Sequence, residues 1–171
     1  GPALVFGLDP KTTYLIAQVL GYAAAKFLGI KVVSELPARR RALGLAGTIA
    51  SAEIALLLFA VLPPGLAAFA LLLNGLSLGM VWGMVFGFLE GRRTSDFLGA
   101  ALCASFILAS GVVKTAGKAI LDAGVPERWM PAVCGLAFAP AMGLTIYLLA
   151  QIPPPSKLDE DKLIGLAWSI L

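Results

Sequence analysis

From Leu66 to Leu89 the chain carries no charged residue, and from Pro131 to Ile152 the same is true. Each run is long enough to cross a bilayer as a helix, which takes about 20 mainly apolar residues at about 1.5 Å rise per residue. Three further stretches qualify with interruptions. Thr12 to Val33 contains Lys26 and Lys31, Ala42 to Leu62 carries Glu53 near its middle, and Phe97 to Leu121 is uncharged until Lys114. None of them alternates as the strands of a membrane barrel do. The expected fold is all-α, a polytopic transmembrane helix bundle of five spans. Composition agrees, because 59% of the 171 residues are hydrophobic and only 13% are charged, against roughly 25% charged in a soluble domain. A water-soluble domain and a disordered chain are both excluded. A net charge of +3 gives no reason to expect a nucleic-acid partner, and the partner this composition calls for is the lipid bilayer.

Basic residues orient such a bundle, since short cytoplasmic loops are enriched in lysine and arginine. One side would hold Arg39, Arg40, Arg41, Arg92, Arg93, Lys157 and Lys162, and the other only Lys11, Lys118 and Arg128. This predicts a cytoplasmic C-terminus, with residues 157–171 as a tail or linker, and an N-terminus outside. An outside start without an initiator methionine points to a further span upstream, or to Gly1-Pro2 as a cloning remnant.

Helices in lipid associate through small residues that let backbones approach. Gly75, Gly79, Gly83, Gly87 and Gly91 recur every four residues along the third span, and Ala17, Gly21, Ala25 and Gly29 do so along the first. Both ridges are expected to be packing surfaces, or surfaces that rock against one another as in transporters. Ionisable residues within a span usually face protein or a wet cavity. Gln18, Tyr22 and Lys26 form one polar line on the first span. That line could face a solute path, or Lys26 could snorkel to the headgroups. Glu53 could pair with Lys26 or sit protonated. Asn74 is expected in an interhelical hydrogen bond or on the path, and Lys114 at the outer headgroups or lining a vestibule. Without histidine there is no Ser-His-Asp triad, Cys-His dyad or histidine-ligated metal, and no glycine-rich turn follows a strand. Neither an enzyme nor a cofactor or metal is expected.

The Arg39 to Arg41 cluster after a long apolar helix, and Arg92-Arg93 after a glycine-ridged one, resemble the cytoplasmic side of the major facilitator superfamily. Gln18 to Tyr22, Lys26 to Glu35, Gly87 to Ser95 and Gln151 to Pro155 are similar to a bacterial family of facilitator-related membrane proteins known as a domain of unknown function. The resemblance implies helices two to six of a six-helix half, with a first helix and a C-terminal half as missing partners, in a bacterial inner membrane. It implies a secondary transporter that moves a small solute by alternating access, the alternative being a non-transporting scaffold or sensor subunit. The superfamily's loop has an aspartate four residues after its glycine, whereas Val33 follows Gly29 here. Glu35 with Arg39, Arg40 and Arg41, and Glu90 with Arg92 and Arg93, would then form the cytoplasmic latch.

Overall fold

A computed structural model describes residues 5–35, 38–89 and 95–151, with the side chains of 30–35, 38–39, 86–89 and 95–96 left aside. The described residues form five helices: α1 (Pro10–Glu35), α2 (Ala38–Val61), α3 (Pro64–Leu89), α4 (Ser95–Asp122) and α5 (Met130–Ala150). The tail at 157–171 lies outside the described residues.

Local chemistry explains the helix ends. Asp9 accepts hydrogen bonds from the amides of Lys11 (3.1 Å) and Thr12 (3.4 Å), and Pro10 fills the first helical position, where a missing N–H costs nothing. Before it, Phe6 and Gly7 both have positive φ (51° and 81°) in a tight turn closed by Val5–Leu8 backbone bonds of 2.9 and 3.1 Å. Gly124, at φ +88°, ends α4. Its amide donates to Leu121 (2.9 Å) and that of Val125 to Ile120 (3.3 Å), the pair of bonds by which a left-handed glycine satisfies the last carbonyls of a helix.

One boundary differs from the sequence expectation. Arg39, Arg40 and Arg41 fall in the first turn of α2 rather than in a connecting turn. Only residues 36–37 separate α1 from α2 among the helix bounds, so arginine, a good helix former, extends α2 despite an unfavourable placement on the helix dipole.

Within the described residues, four helices are long and apolar enough to span a membrane, over Arg40–Val61, Pro64–Val85, Phe97–Asp122 and Met130–Ala150. The expected fifth span is α1. It has the length, at 26 residues, but it is not among the four within the described residues. The described residues therefore form an all-helical, membrane-embedded bundle.

The central helix is α3, which packs against α1 on one side and α2 on the other; α2 continues to α5, and α5 to α4. Buried residues concentrate where α2 meets α3, in a cluster of Phe59, Ala67, Ala70 and Leu71. The outward faces, with Phe97, Phe106, Ile107 and Leu108 of α4 exposed, are what a bilayer solvates.

Candidate functional site

The α1/α3 contact sets the geometry of everything near it. A Cβ added at Gly21 would overlap the Leu72 carbonyl, and one at Gly75 would overlap the Gln18 carbonyl. At Gly79 it would meet Ala25 and the Tyr22 carbonyl oxygen. The two small-residue ridges thus face each other in parallel register, backbone against backbone. Gly29 departs from this pattern, with open space where its Cβ would be. Gly83 is half-buried on α3; Gly87 is in α3 but without described surroundings, and Gly91 lies outside the described residues.

Close backbones bring polar side chains within reach. Gln18 Nε2 donates to Asn74 Oδ1 (2.8 Å), and Asn74 Nδ2 donates to the Ala52 carbonyl (3.0 Å). One buried amide therefore ties α1, α3 and α2 together. Ser77 bonds Ser51 at 3.1 Å beside it. Asn74→Leu should lower stability by about 1 kcal/mol, the scale of an interhelical hydrogen bond in a membrane protein. Thermal unfolding in detergent, compared with Gln18→Leu and the double variant, measures it; additive losses would show that the amides do not interact.

The polar line of α1 divides at this point. Gln18 turns into the helix contact, whereas Lys26 stays exposed. Its ammonium lies 4.8 Å from the Tyr22 ring centroid and 6.0 Å from that of Trp82. Trp82 packs against Phe106 of α4, ring centroids 5.7 Å apart. A cation is thus held over aromatic faces of α1 and α3, with Phe106 of α4 packed on the same Trp82 ring. Phe106 gave no signal in the sequence, because nothing in its spacing pairs it with a residue on α3.

Glu53 is elsewhere. It faces α5, where its carboxyl occupies the space a Cβ of Gly135 would fill. The Lys26–Glu53 pair, one of the two alternatives open from the sequence, is not formed, because α3 stands between α1 and α2. Lys114 is exposed on α4, eight residues past Phe106, or about 12 Å along the helix, so it does not join Lys26. Of the latch residues, Arg40 is exposed and Arg41 half-buried. Glu35 and Arg39 lie in α1 and α2 without described side chains, and Glu90, Arg92 and Arg93 are outside the described residues.

The opposite end of the bundle holds a second polar assembly, which sequence reasoning missed. The Arg128 guanidinium donates to the carbonyls of Phe59 (2.8 Å) and Leu62 and lies 5.6 Å from the Phe59 ring centroid. Lys11 and Glu127 form an exposed ion pair at 3.0 Å nearby. Arg128 had been only a counted loop charge; its carbonyl partners carry no side-chain signature.

Residues 2–163 match the sequence family described as a family of unknown function, DUF5690. The chain belongs to that family. DUF5690 membership covers every helix described above. No curated protein and no solved structure matches the chain.

Proposed function

We propose that this DUF5690 chain forms part of a secondary transporter related to the major facilitator superfamily. In this reading α1 is a fifth membrane span, and a small solute carrying a negative group moves by alternating access. The observation that carries it is the exposed Lys26 ammonium held by Tyr22 and Trp82 in a membrane-embedded bundle. A cation kept at that depth is costly unless it serves a wet path or a ligand. The glycine contact between α1 and α3 supports the same reading, since smooth backbone surfaces can shift without interlocked side chains. The arginine-rich end would face the cytoplasm of a bacterial cell, with Glu35, Glu90 and the arginines of both clusters as the latch.

A scaffold reading is favoured by one observation, that Asn74 Oδ1 and Nδ2 both have partners inside the bundle, so on that reading Asn74 and Gln18 are structural. The two readings part at Lys26. Uptake of a panel of radiolabelled carboxylates and phosphates is measured in vesicles holding the full-length protein. Lys26→Ala should reduce accumulation at least tenfold, a loss of about 1.4 kcal/mol, and Lys26→Arg should retain part of it. Uptake unchanged in Lys26→Ala would remove Lys26 from the path.

A further inference from the structure

Glu53 lies in the middle of an apolar span, eight residues from Val61 and thirteen from Arg40 along Arg40–Val61, far from either end. Its Oε1 is buried and has no hydrogen-bond partner. The α5 backbone leaves room for the carboxyl at Gly135, where any side chain would collide with it.

Among the described residues no cation pairs with this carboxyl. Neither α3 nor α5, the helices packed against α2, contains lysine, arginine or histidine. The titratable groups of α5 are the buried Cys134 thiol, one residue from Gly135, and the exposed Tyr147. Arg128 is committed to the Phe59 and Leu62 carbonyls, at least six residues along α2 from Glu53, or about 9 Å. Arg40 and Arg41 stand at the other end of α2, and Lys26 is across α3.

A carboxylate left ionised at such depth costs about 2.5–3.5 kcal/mol even on the most lenient scale. A hard metal ion would ask for six or more oxygen ligands, and α5 presents a glycine there. The occupant that one carboxyl in apolar surroundings can take is a proton.

We propose that Glu53 is a membrane-embedded proton-binding site, neutral while α2 and α5 are packed at Gly135 and ionised only when that contact opens to water. The proton adds to a carboxylate oxygen and leaves as the helices part, so the α2/α5 contact and the protonation state change together. The site stands independently of the transport reading; if that reading holds, the proton is the ion that drives the cycle.

Infrared spectroscopy of the full-length protein in lipid vesicles tests this without requiring a reagent to reach the site. Wild type at neutral pH should show a protonated-carboxyl carbonyl band that disappears at alkaline pH and is lost in Glu53→Gln. An exposed carboxyl is less than about one part in a hundred protonated at that pH, so other acids contribute little. Should Glu53→Gln fail to fold, Glu53→Asp shifts the same band instead. Absence of the band from wild type at neutral pH, or its persistence unshifted in both variants, overturns the proposal. Failure here with Lys26-dependent uptake intact would leave the transport reading standing and remove only Glu53.

Discussion

Gly75→Ala is expected to destabilise the bundle by about 3 kcal/mol, the upper end of what overpacking costs. The reason is the identity of the neighbour. The added methyl would fall on the Gln18 carbonyl and within 3.0 Å of the Tyr22 amide nitrogen, and backbone within a helix cannot rotate aside as a side chain does. The two helices must separate, which also strains the Gln18–Asn74 bond. Gly21→Ala should behave alike, since it meets the Leu72 carbonyl and the Leu76 amide. Combining both should cost less than the sum, because the first substitution already parts the helices. Gly99→Ala and Gly111→Ala on α4 serve as controls. Each has open space around its Cβ, so each should be neutral or stabilising by up to about 1 kcal/mol through the gain in helix propensity. Thermal unfolding in detergent separates the pairs, and equal behaviour of Gly75 and Gly111 would refute the backbone contact.

Arg128→Ala should cost about 2–3 kcal/mol. Its guanidinium satisfies the Phe59 and Leu62 carbonyls at the end of α2, bonds that involve a charged donor and are worth about 1.5–3 kcal/mol, and it covers the Phe59 ring. Arg128→Lys should recover only part of the loss, because an ammonium could meet the two carbonyls that Nη2 serves but has no planar guanidinium to lie against the Phe59 ring. The neighbouring Lys11–Glu127 pair provides the contrast. Both side chains are strongly exposed, 82% and 70%, and Lys11→Ala should change stability by no more than about 1 kcal/mol. The same unfolding assay, run at low and high salt, distinguishes them, since only the exposed pair is screened appreciably. A loss for Arg128→Ala no larger than that for Lys11→Ala would show that the carbonyl contacts contribute little.

The helices were legible because membrane spans need length and an unbroken apolar run, and both are linear properties of a chain. The apolar runs locate α2, α3, α4 and α5 to within a few residues. The α1 run was also found, as a 26-residue helix interrupted by lysines. The three arginines were read as a turn because charge marks loops; arginine also prolongs helices, and α2 begins before them.

Partners were not legible, for a reason particular to lipid. Apolar surface gains nothing by turning from lipid to protein, so hydrophobicity cannot say which helix meets which. The glycine ridges showed where a helix can be approached closely, and only the tertiary structure decided that Gly21 and Gly75 meet in one parallel contact. The polar line Gln18, Tyr22, Lys26 was correct as a spacing, but its members went to different neighbours once Asn74 and Trp82 were in place. Glu53 and Lys26 lie at similar depths and were natural candidates for a pair, until α3 came between their helices. The sequence by itself determined the all-helical membrane class and four of its apolar spans, and singled out the few polar residues within the helices. Tertiary packing decided their partners, because close approach of backbones, and no property of the chain's own order, sets which polar groups can reach one another.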